Sequence, residues 1–319
     1  MKAMITEKYG SPDLLELREI NRPEPKANQV LVKVMAASVN KADWLILRGE
    51  PFPVRLMAGV FKPKYQTLGA DVAGIVEQVG SEVTQFRPGD EVFGDLSGCG
   101  FGGFAEYVLA EEKYLAKKPL NLTFQETAAL PMASVTALQG LRDKGKIKAG
   151  DQVLINGASG GVGSYAIQIA KSYGAIVTAV CSTQKTEQAK RLGADEVIDY
   201  RQDDFTQQEK QYDLIFDVVA NHPINAVSRV LKKGGHYVAV AFSMGAMILG
   251  PWKSIMEGKT MTSLLASANQ SDLQVICKLA EEGKLSAVIQ ETFTLDGVPE
   301  ALWKIGKGGT AGKLVVSLE

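Results

Sequence analysis

The sequence predicts a two-domain α/β protein, in which a barrel of short β-strands is combined with a doubly wound parallel sheet. The chain has 319 residues, about twice the ~150 residues of an average domain. Its first third is rich in short strand-like segments and turns, whereas strands alternate with helix-length segments from about residue 150 onward. A glycine-rich turn opens this alternating region, directly after its first strand.

The charge balance and the scarce residues exclude several functional classes. Lys and Arg total 35 and Asp and Glu total 36, so a dedicated nucleic-acid-binding protein or polybasic attachment to a membrane surface is not expected. Two histidines and three cysteines without CxxC spacing give no recognisable zinc site or disulfide framework. Unpaired cysteines, and an N-terminus interrupted by Lys2, Glu7 and Lys8, favour a cytoplasmic protein without a targeting or integral membrane segment.

The strand-rich part has alternating apolar residues and strong turn residues between its strands. Strands are predicted over residues 30–34, 71–79, 91–93 and 104–108. The turn between the second and third of these contains Pro88 and Gly89. Thr123, followed three residues later by Glu126, is a capping-box pattern that predicts the start of a helix, and helical sequence continues over 128–141.

The middle of the chain follows the alternation that is typical of a parallel sheet. Strands are predicted over 152–156, 176–181, 196–200, 212–219 and 236–241, and helices over 161–172, 185–192 and 224–231. The charge-free window 234–252 is as long as a membrane helix, but its glycines and Pro251 favour a strand that runs into a loop. Two further strands are predicted near the C-terminus, over 288–293 and 313–316.

The glycine-rich turn predicts a dinucleotide-binding, or Rossmann, domain. Residues 152–163 read QVLINGASGGVG, and against the pattern GxGxxG they place Ala158 at the first glycine position. Gly160 would let the backbone approach a pyrophosphate, and Gly163 would let the helix pack closely on its strand. The helix N-terminus would offer N–H groups to the phosphates, although an ordinary β–α turn is the alternative interpretation. The predicted contacts in this turn are Ser159, Gly160, Gly161, Val162 and Gly163.

The residues after the second strand of this region favour NADPH over NADH. A cofactor with a free ribose 2′-hydroxyl usually meets an Asp or Glu about 20 residues beyond the turn. This chain has Ser182, Thr183 and Lys185 there, with no acid before Glu187. Small hydroxyls and a lysine suit a 2′-phosphate. The alternatives are a solvated helix residue for Lys185 and helix caps for the two hydroxyl residues.

Several motifs along the chain extend this interpretation. Residues 36–40 read AASVN, residues 68–74 read LGADVAG, and residues 102–108 read GGFAEYV. Residues 87–92 read RPGDEV, and residues 312–316 read GKLVV. Over nearly the whole chain, these motifs resemble the medium-chain dehydrogenase/reductase superfamily, in its zinc-free quinone oxidoreductase (zeta-crystallin-like) branch.

The resemblance implies a domain organisation and a place for the cofactor. We expect a GroES-like β-barrel catalytic domain over 1–122, a Rossmann NADPH-binding domain over 123–259, and a segment 260–319 that completes the catalytic domain. NADPH is expected in the cleft between the domains, at the carboxyl ends of the parallel strands. Relatives commonly dimerise through the edge of the Rossmann sheet, and the uncharged strand at 261–265 would permit a homodimer here.

The resemblance also implies chemistry without zinc. Where zinc-dependent relatives have their first zinc cysteine, this chain has Asn40, and their zinc histidine and third ligand correspond to Ala70 and Ala133. Without a Lewis acid, hydride transfer to a simple aldehyde is harder. A quinone or the conjugated double bond of an enone or alkenal is the expected acceptor. The alternatives are an NADP-dependent alcohol dehydrogenase that works without zinc, and a non-catalytic NADPH-binding structural or regulatory protein.

Further site residues are implied by the same resemblance. Asn40 is the candidate polar contact near the nicotinamide, with a turn-capping role as the alternative, and Tyr65 is a second catalytic candidate whose alternative is an ordinary surface role. Solvent could protonate the product, because the lysine of some enone-reducing relatives is replaced here by Leu45. The other implied cofactor contacts are Thr136, Tyr200, Ala241, Phe242, Gly312 and Lys313. The implied walls of the substrate pocket are Trp44, Phe52, Phe242 and Met244, each of which could instead serve packing alone.

Overall fold

The computed structural model describes residues 1–240 and 256–318, and the chain divides into two units. One unit comprises Met1–Met132 with Ala268–Glu319, and the other comprises Ala133–Ser267. The sequence predicts domain boundaries between residues 122 and 123 and between residues 259 and 260. The boundaries shift because a helix over Phe124–Ala128 packs on barrel strands of the first unit, and a strand over Thr260–Ser263 pairs within the parallel sheet of the second.

The N-terminal part of the first unit is built from antiparallel strands. They are β1 (Lys2–Ile5), β2 (Glu16–Glu19), β3 (Gln29–Val39), β4 (Asp71–Val79), β5 (Glu91–Asp95), β6 (Tyr107–Glu111) and β7 (Leu115–Lys117). Strand β3 is central and pairs with both β4 and β6. It runs beyond the predicted residues 30–34 to Val39, because its second half pairs with strands on both sides.

Three helices belong to this part of the chain: α1 (Lys41–Arg48), α2 (Pro53–Ala58) and α3 (Phe124–Ala128). Helix α1 begins after Asn40, whose backbone N–H donates to the Asp43 carboxylate at 2.8 Å. Helix α3 begins with the predicted capping box. The Thr123 hydroxyl accepts from the Glu126 N–H at 3.2 Å, and the Glu126 carboxylate accepts from the Thr123 N–H at 2.9 Å.

The second unit is a parallel sheet with helices between its strands. After α4 (Pro131–Gln139), which crosses the boundary, come β8 (Gln152–Asn156), α5 (Gly161–Ser172), β9 (Ile176–Cys181), α6 (Thr186–Arg191), β10 (Glu196–Asp199), β11 (Tyr212–Asp217), α7 (Ile224–Arg229), β12 (Leu231–Ala239) and β13 (Thr260–Ser263). The strand order is β10-β9-β8-β11-β12-β13, and each pairing is parallel. The order reverses between β8 and β11, which is the topological switch point where ligands bind in such sheets. The predicted Rossmann topology is confirmed.

The C-terminal segment returns to the first unit. It contains α8 (Gln270–Glu281), β14 (Ile289–Phe293), α9 (Val298–Lys307) and β15 (Lys313–Ser317). Strand β15 pairs antiparallel with β3 and parallel with β14, so it extends the barrel sheet. Leu314 and Val316 of β15 are fully buried in the same apolar core as Val32, Leu47 and Phe104. The C-terminal segment therefore belongs to the same unit as the N-terminal strands.

No helix within the described ranges is both long enough and apolar enough to cross a lipid bilayer.

Candidate functional site

Two glycines determine the backbone geometry of the turn between β8 and α5. A side chain at Gly163 would lie 2.2 Å from the carbonyl oxygen of Gly157, so the close packing of helix on strand depends on this glycine. At Gly160 the nearest described atom to a Cβ, the Gly157 carbonyl oxygen, would be 3.7 Å away, so no described residue crowds the backbone there. These are the two roles that the sequence assigns to these glycines.

The first turn of α5 presents backbone N–H groups. Gly161, Val162 and Gly163 donate to no acceptor among the residues that the structure describes, whereas Ser164 N–H bonds to the Gly160 carbonyl at 2.9 Å. Together with the helix dipole, these N–H groups suit an anion. The Ser159 carbonyl accepts from the Gln188 side chain at 3.3 Å, which ties the turn to α6.

Gly157 is a turn residue that the sequence analysis did not assign to the candidate site. Its φ is +81°, so it makes the tight turn that the first glycine of the pattern normally provides. The analysis assigned that position to Ala158. The preceding Asn156 and the dipeptide Asn-Gly are a strong turn signal that could have identified it.

Residues beyond β9 and β10 lie at one edge of the sheet, because Cys181 and Asp199 are register partners at the carboxyl ends of these strands. Ser182 is buried, Tyr200 is 59% exposed, and Lys185 is partly buried. Burial lowers the pKa of Lys185, and the positive charge of Arg201 acts in the same direction. Arg201, which the sequence analysis missed, thus adds a second cation at this edge.

The Thr183 hydroxyl is hydrogen-bonded within the protein, whereas the sequence predicts that it contacts the 2′-phosphate of the cofactor. Its hydroxyl donates to the Asp199 carboxylate, which also accepts from the Arg201 N–H at 3.0 Å. The hydrogen bond from Thr183 is the main cause of the lowered pKa of Asp199. Thr183 can donate to a phosphate only if this bond is broken, and Asp199 places a negative charge beside the predicted phosphate position.

The carboxyl end of β11 carries a buried network that the sequence analysis did not identify. The Asp217 carboxylate accepts from the Asn156 amide at 2.8 Å and from the Tyr237 hydroxyl at 3.1 Å. It also accepts from the backbone N–H groups of Val219 and Ala220. Asp217 therefore fixes the loop that follows β11, at the switch point of the sheet.

In the first unit, the start of β15 and the end of β3 bring Lys313 and Asn40 together. The Lys313 ammonium lies 2.6 Å from Asn40 Oδ1 and 3.2 Å from Asp71 Oδ2. Asn40 Nδ2 and the Ser38 hydroxyl donate to the same Asp71 oxygen, at 2.9 and 2.8 Å. All four side chains are buried. Sequence reasoning proposed Asn40 and Lys313 separately but did not predict their contact.

The backbone conformation of the preceding residue determines where Lys313 lies. Gly312, which precedes it, has a φ of +104°, and a Cβ there would lie 2.2 Å from the Val288 carbonyl oxygen. The same carbonyl accepts from the Lys313 N–H at 2.8 Å. Gly312 is therefore needed for the local geometry that delivers the Lys313 side chain.

Two further carboxyl groups lie near this network, Asp43 and Asp95. The Asp43 carboxylate accepts from the N–H groups of Asn40 and Gly69, at 2.8 and 3.1 Å. Burial, with a smaller contribution from the charge of Asp71, raises the pKa of Asp43 to about 7 and that of Asp95 to about 6.

Ionisation of Asp43 should make the stability of the protein depend on pH. Its folded-state pKa of about 7 lies above the ordinary 3.8, so the folded protein binds more protons than the unfolded chain between these values. The free energy of unfolding should therefore fall as the pH rises from about 4 to about 7. In Asp43→Asn this slope should be shallower, with a remainder from Asp95 up to about pH 6. Urea unfolding at several pH values measures both slopes, and equal slopes would contradict the assignment.

The other predicted residues have different surroundings. The Tyr65 ring packs on Phe101, with centroids 5.0 Å apart, and the Tyr65 hydroxyl makes no hydrogen bond to another described residue. The Trp44 ring lies 5.5 Å from that of Trp303, and Phe52 is 61% exposed. Thr136 is buried in α4. The predicted contacts Ala241, Phe242 and Met244 lie outside the described residues.

In the described part of the chain, no group of three or more His, Cys, Asp or Glu side chains has an arrangement that could hold a metal ion.

Comparisons with known proteins cover the whole chain. Residues 26–120 match the family described as "Alcohol dehydrogenase GroES-like domain", and residues 192–316 match the family described as "Zinc-binding dehydrogenase". The chain is 35% identical to "Chloroplast envelope quinone oxidoreductase homolog" of Arabidopsis thaliana, over 99% of this chain and 98% of that protein. It is also 35% identical to "NADPH-dependent alkenal/one oxidoreductase, chloroplastic" of the same plant, over 99% and 79%. The structure of the quinone oxidoreductase from Coxiella burnetii is 33% identical, with a TM-score of 0.90 and coverage of 100% and 99%.

Proposed function

Because the chain belongs to the quinone oxidoreductase-like group of the medium-chain dehydrogenase/reductase superfamily, we propose that it transfers hydride from NADPH to quinones or conjugated enones and alkenals. It is an oxidoreductase, and the nicotinamide dinucleotide is its redox cofactor. The single observation that carries the cofactor part of the proposal is the turn after β8, where no described residue crowds Gly160 and the N–H groups that begin α5 have no acceptor among the described residues.

NADPH is proposed over NADH because of the residues beyond β9 and β10. Lys185 and Arg201 supply two positive charges, and Ser182 and Tyr200 lie at the same edge of the sheet. No Asp or Glu occurs between Cys181 and Lys185 to accept hydrogen bonds from a ribose 2′-hydroxyl. The charge of Asp199 opposes this preference, so the selectivity for NADPH is expected to be moderate.

When bound, the reduced nicotinamide supplies the hydride, and the protein supplies binding, orientation and electrostatics. The backbone of Gly160 and the first turn of α5 would hold the pyrophosphate, and Asn40 would contact the nicotinamide. Thr136, Gly312 and Lys313 are proposed as further residues on the cofactor side. After hydride transfer the reduced product needs one proton, which solvent can supply, and Tyr65 is the side-chain candidate for that step.

A zinc-independent reaction is supported by the chemistry of the side chains. An amide at Asn40 and methyl groups at Ala70 and Ala133 stand at the positions that hold zinc in the metal-dependent relatives, and none of them is a common zinc ligand. A quinone or an enone is already electron-poor at the atom that accepts hydride. The protein then has to align the reactants and stabilise the developing oxyanion, which does not require a Lewis acid.

A homodimer in a reducing compartment such as the cytoplasm completes the proposal. Strand β13 is at the edge of the parallel sheet and pairs only with β12 among the described strands. Residues 261–265 carry no charge, which would allow a second copy to extend the sheet. Cys99, Cys181 and Cys277 are all free thiols, as is usual under reducing conditions.

Loss of NADPH absorbance, measured with chelator-treated protein, tests the function. The acceptor panel contains an ortho-quinone, a para-quinone, a short 2-alkenal, a cyclic enone and a simple aldehyde, and NADH is assayed in parallel. We expect turnover with quinones or enones but not with the aldehyde, no effect of chelation, and higher kcat/KM with NADPH. Loss of turnover on chelation would contradict zinc independence. An inert panel with a melting temperature that NADPH still raises would favour a binding protein instead.

A further inference from the structure

Helix α2 and the loop that follows it expose a group of large apolar side chains. Among the residues that the structure describes, Leu56 and Met57 are 67% and 71% exposed, and Phe61 is 96% exposed. Phe52 and Val60 are also exposed, so five such side chains lie within ten residues. Exposed apolar side chains are ordinary when they occur singly, whereas a group of them indicates a surface that binds a partner or a membrane.

The opposite side of this helix is anchored to the protein. Ala58 is buried, and the Arg55 guanidinium lies 4.8 Å from the centre of the Tyr9 ring. The same guanidinium donates to the Gly49 carbonyl oxygen at 3.0 Å. The Tyr9 hydroxyl donates to the Gly59 carbonyl oxygen, directly after the helix. The apolar side chains are therefore exposed although their backbone is held in place.

A tight turn brings residues 60–61 to the tip of the loop. The Lys64 N–H donates to the Ala58 carbonyl oxygen at 2.6 Å, so the chain folds back between these two residues. Gly59 has a φ of +111°, and a Cβ there would lie 2.2 Å from the Lys62 carbonyl oxygen. The turn thus depends on this glycine, and it presents the two apolar side chains midway between the hydrogen-bonded ends.

The charged residues of segment 52–64 are all positive. They are Arg55, Lys62 and Lys64. The nearest acid along the chain is Glu50, which pairs with Arg48 at 3.0 Å. Lys62 and Lys64 are exposed, and neither forms an ion pair with an acid that the structure describes. The chain as a whole has a net charge of −1, so the overall balance from which no membrane attachment was expected hides this local excess.

We propose that segment 52–64 docks the protein on the surface of an anionic lipid bilayer. At such a surface, apolar side chains lie at the boundary between headgroups and acyl chains, while Lys and Arg stay beside the lipid phosphates. The segment provides both parts, because Phe61 at the tip is followed directly by Lys62. The proposal goes beyond the proposed function and does not rest on it.

The same charges disfavour a second copy of this chain as the occupant. Most dimers have a two-fold axis, which brings identical surfaces of the two copies together. Such a dimer through segment 52–64 would place two sets of cations against each other, and like charges across an interface repel. An anionic bilayer instead complements these cations and also accepts the apolar side chains.

Flotation with lipid vesicles tests this docking without turnover. The probes are vesicles of phosphatidylcholine alone and vesicles of phosphatidylcholine and phosphatidylglycerol in equal parts. The wild-type protein should bind the mixed vesicles about 10- to 100-fold more tightly, as expected for two or three cations near an anionic surface. This difference should shrink when the salt concentration rises from about 0.1 M to about 1 M. Failure to bind the mixed vesicles would overturn the proposal.

Two variants separate the apolar contribution from the charged one. Phe61→Ser should weaken binding to the mixed vesicles by about 10-fold or more, because most of an apolar side chain then stays in water. Lys62→Gln with Lys64→Gln should weaken it by about 10- to 30-fold and remove the preference for the anionic lipid. Thermal unfolding checks that both variants fold, which their exposed positions favour.

Each variant has a matched control outside the segment. Leu120→Ser replaces another exposed apolar side chain, which follows β7. Lys190→Gln with Lys278→Gln changes the net charge by the same amount, at lysines that pair with Glu187 and Glu282. Both controls should bind the mixed vesicles as tightly as the wild-type protein.

The outcomes distinguish this proposal from other roles of the segment. Equal losses in the segment variants and the controls would show unspecific binding, and binding that depends on the lysines but not on Phe61 would leave the apolar side chains without a part in it. Self-association without vesicle binding, lost in Phe61→Ser, would make the segment an interface between copies. Each of these results overturns the proposal. Inactivity of the protein with every acceptor would affect the proposed function alone.

Discussion

Alanine at Gly163 should disrupt the nucleotide-binding unit, whereas alanine at Gly160 should disrupt cofactor binding alone. A Cβ at Gly163 would lie 2.2 Å from the Gly157 carbonyl oxygen, so helix α5 would have to move away from β8. Overpacking of this kind costs roughly 1–3 kcal/mol, which corresponds to a decrease of about 2–5 °C in melting temperature for a chain of this size. Affinity for NADPH should fall together with stability.

Gly160→Ala is the matched variant three residues away. Its backbone φ is −76°, which alanine adopts readily, and the nearest atom to the new methyl group in the described part of the chain would be 3.7 Å away. The melting temperature should stay within about 1 °C, because no contact of the folded protein is lost. The methyl group would occupy the space beside the backbone that a pyrophosphate needs, so Kd for NADPH should rise by about 10- to 100-fold. Equal affinity in this variant and the wild type would remove the turn from the proposed site.

Replacement of Lys185 by alanine should reduce kcat/KM for NADPH by about 10- to 100-fold, the range expected for loss of a hydrogen bond to a charged group. The value for NADH should change little, because NADH has no 2′-phosphate. Steady-state kinetics with both dinucleotides and one quinone gives the two ratios. Lys190→Ala is the control, since Lys190 lies on helix α6, which begins directly after Lys185, but pairs with Glu187 at the surface. A parallel decrease for both dinucleotides would contradict the role of Lys185 in selectivity.

Asp199→Asn should have the opposite effect to Lys185→Ala on the preference for NADPH over NADH. The substitution removes a negative charge from the edge that carries Lys185 and Arg201, and it weakens the hold on the Thr183 hydroxyl. The preference for NADPH should increase by about 3- to 10-fold, as expected for one modest charge interaction. A decrease would show that Asp199 orients Thr183 for binding rather than opposing it.

The bounds of strands and helices were predicted best where the residues at both ends favour the end of a strand or helix. Strands β4, β8 and β9 and helix α5 have the bounds that the sequence predicts. Each ends near glycines or polar residues, which interrupt the periodic spacing of apolar residues within a few positions. Strand β12 begins five residues earlier than predicted, at Leu231, because pairing with β11 across a register shift outweighs the weak strand tendency of Lys232–Gly235.

Individual residues of the site could be predicted from the sequence, but the contacts between them could not. The Rossmann turn and the loop after β9 could be identified from the sequence because their function depends on consecutive residues. The contact of Lys313 with Asn40 joins positions 273 residues apart and exists only because β15 pairs with β3. The roles of Asp71 and Asp217 could not be predicted either, because the sequence alone does not indicate that an aspartate is fully buried and hydrogen-bonded.

Transfer of deuterium from NADPH to an enone tests the central claim most directly. NADPH dideuterated at C4 of the nicotinamide is incubated with the protein and a cyclic enone in ordinary water, and the saturated product is analysed by mass spectrometry and NMR. The proposed function predicts one deuterium at the β-carbon and hydrogen from solvent at the α-carbon. Consumption of NADPH with no deuterium in the product would contradict direct hydride transfer to the conjugated double bond.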